Sequence, residues 1–342
     1  MMKKLILFLI GFIPISSSAQ DLSDLFEKVS PAVVQIQTKE KAIVGSGMAK
    51  QMVTQEGMGS GILISDDGQI LTAAHVVQTA EDVKVVFKNE EVIPAKILGA
   101  DKTADVALIK LLWPPKDKSI FIPKIADSDM MKIGQQVFII GSPYGLSQSL
   151  SVGHISGRHK KSSVTHNMNL MEFFQTDASI NIGNSGGPMF NMDGEVIGIV
   201  SYILSESGGF QGLGFAATIN MAKRLLLEEK GIWFGVDGVM LPPALARIFN
   251  LPQNGGILIQ KVADLSPGSM MGLQGGVFKM EIEGEELIVG GDIVLTMMGV
   301  KIENSDDMLN VKKKLVQIKS KDEIQVQVMR NGKIVDLKYV MP

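Results

Sequence analysis

A serine set in a glycine-rich turn, a histidine and an aspartate are the side chains of this sequence best suited to nucleophilic catalysis. The serine is Ser185, within Gly183-Asn184-Ser185-Gly186-Gly187-Pro188. Thr72-Ala73-Ala74-His75 brings an imidazole, and Thr103-Ala104-Asp105-Val106-Ala107-Leu108 brings a carboxylate at the head of an apolar run. A serine hydroxyl is a poor nucleophile at neutral pH. A histidine must take its proton, and a carboxylate must hold that imidazole in the right tautomer. Asp105 would be largely buried at the start of an apolar strand, which is costly unless a hydrogen bond compensates. An imidazole N–H is a fitting donor. Gly183 lets a substrate carbonyl approach the backbone, and Gly186 and Gly187 allow tight turning. The amides of the Gly183-Asn184-Ser185 turn, those of Gly183 and Ser185 above all, could then converge as an oxyanion hole.

These pieces occur in the order His, Asp, Ser. That is the order of the chymotrypsin-like arrangement and not of the subtilisin or α/β-hydrolase ones. The elements that must position them are short strands. After a short amphipathic helix, Asp21 to Val29, the runs Val33-Thr38, Ile62-Ile64, Ile70-Thr72, Val83-Phe87, Val92-Leu98 and Val106-Leu111 recur between turn residues. Gln136-Ile140, Leu150-Ile155, Glu172-Thr176, Val196-Ser201 and Leu213-Ala217 continue the pattern. Many short strands with frequent turns predict a mostly β fold, an all-β barrel or sandwich, and the order of the three residues points to the chymotrypsin-like double β-barrel. Residues 39–57 show no clear period and read as a surface loop. A helix over Asn220 to Lys230, capped by Asn220 and stopped by Gly231, closes this region.

From Ile232 the pattern restarts as α+β. A helix at Pro243-Asn250, a strand at Gly256-Val262, a turn and short helix at Leu265-Ser266-Pro267-Gly268 and a helix capped by Ser305 lead to a hairpin around Asn331-Gly332. The expected organisation is a signal peptide over 1–19, a catalytic domain over 20–230 and a smaller domain over 231–342.

Composition narrows the function. The chain has 342 residues and a net charge of -3, which gives no electrostatic basis for binding nucleic acid. With 0 cysteines there is no disulfide, thiolate metal site or cysteine nucleophile. His154, His159 and His166 match no common ligand spacing, so no metal or other cofactor is expected. Lys3-Lys4, the apolar run Leu5 to Ile15 and Ser17-Ser18-Ala19 read as an export signal cleaved before Gln20. A retained membrane anchor is the alternative. It needs about 20 apolar residues, and Pro14 interrupts the run.

Further segments give the chain a resemblance to a known family. Gly59-Ser60-Gly61-Ile62, His75-Val76-Val77, Gly141-Ser142-Pro143-Tyr144-Gly145-Leu146, Gln175-Thr176-Asp177-Ala178-Ser179-Ile180-Asn181 and Gly212-Leu213-Gly214-Phe215-Ala216 resemble the HtrA/Deg serine proteases that carry one PDZ domain. The resemblance implies His75, Asp105 and Ser185 as the catalytic triad. It implies ATP-independent degradation of misfolded envelope proteins by trimers or multiples of trimers. The family's usual prolines are replaced at Ile182 and at Ala217-Thr218, the first of these in the loop that shapes the oxyanion hole. Ser179 corresponds to the base of the primary pocket. With Ile199, Val200 and Phe215 as apolar walls, cleavage after small or medium aliphatic residues is expected. The strand Ile199-Tyr202 is expected to pair with an extended substrate. Trp233-Phe234-Gly235-Val236 is similar to the PDZ loop that captures a peptide C-terminus, with the peptide lying against a helix bearing Met308, Val311 and Leu315. Phe278-Leu287 looks like an insertion in that domain. Two other readings fit the same residues: a chaperone or PDZ binding protein with a resting protease domain, and a membrane-anchored stress-sensing protease.

Overall fold

The computed structural model describes residues 22–44, 51–142, 148–161, 171–181, 183–203, 210–282 and 285–342. The expected signal peptide, Ile182, His166 and the Pro143-Leu146 part of the family segment lie outside them. Two closed six-stranded barrels are followed by an open sheet.

Helix α1 (Leu22–Val29) leads into the first barrel. Its strands are β1 (Val33–Val44), β2 (Gln51–Leu63), β3 (Gln69–Thr72), β4 (Asp82–Val86), β5 (Val92–Asp101) and β6 (Val106–Leu111), in the order β1-β2-β3-β6-β5-β4. The short helix α2 (Ala74–Val77) follows β3. The second barrel has β7 (Gln136–Gly141), β8 (Ser149–Lys161), β9 (Met171–Thr176), β10 (Pro188–Asn191), β11 (Val196–Ile203) and β12 (Gly214–Thr218), in the order β10-β11-β12-β9-β8-β7. Both barrels keep the alternation that sheets with one buried face require. In β9, Glu172, Phe174 and Thr176 point inward while Met171, Phe173 and Gln175 stay half-buried.

One apolar cluster joins the two barrels. It takes Ile36, Ile62, Leu71 and Ile109 from the first and Phe138, Ile140, Phe190 and Ile199 from the second. Phe138 and Phe190 stack with centroids 4.9 Å apart. Leu25 and Val29 of α1 are sealed into the same cluster, so this helix bridges the barrels.

Several sequence expectations need correction. Of the stretch 39–57, residues 39–44 and 51–57 are strand and not loop. β1 and β2 form one long hairpin whose pairing runs from Val33↔Ile62 to Val44↔Gln51. Backbone hydrogen bonds extend this ladder where side chains show no apolar period. Strand β10 was not anticipated, because its four residues follow the serine turn directly. Asn220 does not cap the helix. Helix α3 (Ile219–Lys223) starts after Thr218 and continues as a π-helical turn, Arg224–Glu228. The Asn220 amide instead reaches across to Asp127 at 2.6 Å and to the Ser128 N–H at 3.3 Å.

The open sheet runs β13 (Val236–Leu241), β14 (Gly256–Val262), β17 (Ile293–Met297), β19 (Glu323–Arg330), β20 (Lys333–Val340), with β18 (Val300–Lys301) beside β17. The Phe278-Leu287 region forms a separate hairpin, β15 (Phe278–Ile282) and β16 (Glu285–Val289). Helices α4 (Pro243–Ile248), α5 (Pro267–Met271) and α6 (Ser305–Leu315) complete the unit, with Val311 of α6 fully buried. Asn304, not Ser305, caps α6. It accepts from the amides of Asp306 and Asp307 at 2.9 and 3.2 Å, and Asp307 accepts from the Asn304 amide at 3.1 Å. The Asn331-Gly332 turn has both residues at positive φ, 49° and 74°, as the two-residue hairpin predicts.

Candidate active site

His75 is delivered by α2, one residue into the helix that follows β3, and not by a bare strand end. Asp105 sits in the turn between β5 and β6. The Asp101 carboxylate folds this turn by accepting from the amides of Thr103 and Ala104 at 2.9 and 3.0 Å. Asp105 itself is held at φ 52°, a region that few non-glycine residues adopt but that Asp tolerates. Its carboxylate accepts from the His75 backbone amide at 3.0 Å and lies 3.0 and 2.9 Å from His75 Nδ1 through its two oxygens. Nδ1 therefore carries the proton in the neutral ring, and Nε2 is left as the basic nitrogen.

A third group completes this pair. Ser201 Oγ donates to Asp105 Oδ2, from the second barrel to the first. Ser201 is the extra residue of a bulge in β11, where pairing with β12 passes from Val200↔Ala216 to Tyr202↔Phe215. Bulges re-aim side chains in this way beside functional sites. Nothing in the local sequence marks Ser201, because the bulge depends on the pairing with β12.

The Ser185 turn is pinned to the first barrel. Ser60 of β2 donates its amide to Ser185 O at 2.8 Å and its hydroxyl to Gly183 O at 2.6 Å. Gly186, at φ 80°, packs so tightly that a Cβ there would lie 2.2 Å from Thr72 Oγ1 and 2.8 Å from Ala73 N. Thr72 and Ala73 immediately precede the segment bearing His75. No other residue fits at 186. The structure thus sets the Ser185 turn against the residues that lead into His75, whose ring is held by Asp105. Ser185 Oγ makes no hydrogen bond to His75 among the described residues. Ser60 belongs to the segment Gly59-Ser60-Gly61-Ile62. Its spacing from Ser185 in sequence hides the contact.

Gly183 is at φ 101°. Among the described residues, the amides of Gly183 and Ser185 donate to no acceptor. The Asn184 amide, grouped with them from the sequence, is different: it donates to Asn181 O at 3.0 Å, so it closes the turn and does not serve a substrate.

The pocket expectations divide. Ser179 is exposed. Ile199 and Val200 are fully buried, the first in the cluster between the barrels and the second inside the second barrel. Both are packed on β11 and present no surface. Phe215 is covered by Tyr202, whose ring stacks on it at 4.8 Å. Burial, and then the negative charge of Asp105, push the Tyr202 phenol pKa up.

In the open sheet, Trp233-Phe234-Gly235-Val236 wraps the start of edge strand β13. Phe234 O accepts from Gly268 N at 2.9 Å, and Gly235 O from Ala263 N at 2.7 Å. The amides of Phe234 and Gly235 donate to no described acceptor. This loop touches the first barrel beside His75. Trp233 Nε1 donates to Gln78 O at 2.9 Å, and Gln78 Nε2 donates to Val236 O at 2.7 Å.

A profile for a trypsin-like peptidase domain matches residues 59–199. A protein of Pseudomonas putida (strain GB-1), described as a probable periplasmic serine endoprotease DegP-like, is 34% identical over 92% of this chain and 68% of its own length. A protein of Halomonas elongata with the same description is 32% identical over 93% of this chain and 70% of its own. Among solved structures, the HtrA-type protease AlgW with a decapeptide superposes with a TM-score of 0.52 at 26% identity, covering 94% of this chain and 98% of the other. The same protease with a tripeptide gives 0.52 at 27% identity, covering 94% and 96%.

Proposed function

Because the chain belongs to the HtrA/Deg family of serine endoproteases, we propose that it cleaves peptide bonds by acyl transfer through Ser185. It is a periplasmic serine endopeptidase, as its relatives are described. In the proposed reaction His75 Nε2 takes the Ser185 proton as Oγ attacks the scissile carbonyl, and later gives it to the leaving amine. Asp105 holds the ring through Nδ1 and stabilises the imidazolium. Gly183 N–H and Ser185 N–H stabilise the oxyanion, a contribution of about 3 kcal/mol for each such donor. The observation that carries this reading is the run Ser201–Asp105–His75, set beside a turn whose serine is fixed by Ser60.

The finer reading concerns substrate and location. The N-terminal 19 residues serve as a cleavable export signal. The substrates are misfolded or damaged envelope proteins, and the working form is a trimer or a multiple of trimers. Residues 231–342 act as a PDZ domain. Substrate or regulatory C-termini bind the amides of Phe234, Gly235 and Val236 and add as a strand beside β13. Ser179, uncharged at the pocket base, favours small or medium aliphatic residues before the cut.

Digestion of casein by the mature protein tests the catalytic reading. Ser185→Ala is expected to lower kcat by at least about 10⁴-fold with the fold intact. Equal digestion by both forms would overturn it. Casein protected from aggregation but left uncut by the wild type would favour the chaperone reading.

A further inference from the structure

Ser60 is a fully buried polar residue of β2, followed closely by the buried Ile62 and Leu63. A buried hydroxyl is costly unless it is paired, and this one is paired twice. It accepts from the Ser142 amide at 2.9 Å and donates to Gly183 O at 2.6 Å. A serine hydroxyl has one proton, and here Gly183 receives it. The main chain of Ser60 is committed as well. Its N–H donates to Ser185 O at 2.8 Å, and its carbonyl accepts from Thr72 Oγ1 at 2.7 Å. One residue of the first barrel thus ties together the end of β7, the Ser185 turn and the segment leading to His75.

The group that the hydroxyl holds is the peptide between Gly183 and Asn184. This rigid plane lies between the two amides assigned to the oxyanion: Gly183 N–H precedes it and Ser185 N–H follows it. Its oxygen is held by Ser60, and its N–H by Asn181 O at 3.0 Å. The next peptide is held through Asn184 O, which accepts from Gly187 N at 2.9 Å. The one after is held by Ser60 N–H at its oxygen and by Val200 O, 2.8 Å from Gly186 N. Among these partners the Ser60 hydroxyl is the one side-chain group; the others are main chain, which any sequence supplies. Gly183, at φ 101°, has the backbone freedom to lose this orientation once the hold is gone.

Resting on the protease reading, we propose that Ser60 is a positioning residue for the reaction. Its hydroxyl sets the tilt of the 183–184 peptide and so aims the Gly183 and Ser185 amides at one oxygen. Being fully buried, it does not itself touch substrate. The oxyanion hole is thereby completed from the first barrel, although both of its donors belong to the second. Donors of this kind act because they are aimed before the charge develops, so a displacement costs rate and leaves ground-state binding nearly intact.

The test uses the full mature protein, an internally quenched peptide with one amide cleavage point, and a peptide boronic acid of the same sequence up to the cut. In the boronic acid adduct the Ser185 oxygen bonds to boron, its proton passes to His75, and a boronate oxygen takes the place of the oxyanion. Ser60→Ala is expected to lower kcat about 30-fold, within the roughly 10²-fold that a 1 Å misplacement can cost. KM should change less than about threefold, the split that marks an interaction made only in the transition state. The inhibition constant of the boronic acid should rise by the same factor as kcat falls. Ser60→Cys, which keeps the shape but donates only weakly, gives the same reading should the alanine variant fail to fold. An unchanged kcat in both variants overturns the proposal. So does a fall in kcat with the boronic acid bound as before, or a rise in KM as large as the fall in kcat, which would make Ser60 a support of the substrate site as a whole. A wild type that neither cleaves the peptide nor binds the boronic acid would overturn the protease reading instead, so the two failures are distinguishable.

Discussion

The molecule has two seams, and they are made of different materials. Between the barrels the contact is apolar: Phe138, Ile140, Phe190 and Ile199 meet Ile36, Ile62 and Leu71 with no exposed surface. Between the first barrel and the open sheet the contact is ionic. Lys41 pairs with Asp264, Lys102 with Asp237, Lys261 with Glu40 at 3.2 Å and Lys312 with Asp101 at 2.7 Å. Apolar burial is insensitive to salt and hard to open locally, whereas exposed ion pairs contribute only about 0–1 kcal/mol each and are screened. The proposed catalytic groups are divided across the first seam, with His75 and Asp105 on one side and Ser185 on the other. The second seam joins the peptide-binding candidate to the first barrel next to His75. Precision is invested in one and adjustability in the other.

The largest expected effect comes from one of the polar crossings of the apolar seam, that of Asp105. Asp105→Asn keeps the size of the side chain but lets the amide favour the wrong histidine tautomer. It is expected to lower kcat about 10⁴-fold on a peptide substrate. The denaturation midpoint should move less than for a cavity in the same seam. A loss of less than about tenfold would mean that this crossing is structural only. The next effect is on stability. Phe138→Ala removes one ring of the stacked pair and is expected to cost about 3–5 kcal/mol in urea unfolding. A cost below about 1 kcal/mol would show that the barrels are not held by this cluster.

The seams also differ in how far the sequence discloses them. His75, Asp105 and Ser185 could be picked out because each lies in a local motif whose residue types have few other uses together. The ionic seam could not, since Lys41 and Asp264 are remote in sequence and each looks like an ordinary solvated charge. Ser201 and Tyr202 were hidden for a different reason. A one-residue bulge in β11 decides which of them faces Asp105 and which lies on Phe215, and pairing with β12 sets that bulge. Ile199 and Val200 are fully buried, and an apolar run alone cannot tell a pocket wall from a core. The long β1–β2 hairpin was missed because its outer half is held by main-chain hydrogen bonds between polar and methionine-bearing segments. The Asn331-Gly332 hairpin was legible because its turn demands positive φ from both residues.

The smallest effect tests the ionic seam directly. Trp233 is half-buried and donates to Gln78 O, while Trp113, the second of the 2 tryptophans, is 48% exposed. In a Trp113→Phe background the emission therefore reports Trp233 alone. Raising salt toward 1 M shortens the screening length to about 3 Å, which weakens the four exposed or half-exposed pairs together. The Trp233 emission is expected to shift to the red, and the link between the barrels and the sheet, 230–235, to become more susceptible to an added protease in a Ser185→Ala background. The urea midpoint of the barrels should stay nearly constant over the same range, since no ion pair of the second seam supports the cluster around Phe138. Gln78→Ala, which removes the donor to Val236 O, should bring the red shift on at lower salt. An emission that ignores both salt and Gln78 would mean that the open sheet is docked by its apolar contacts alone, and the distinction between the two seams would be lost.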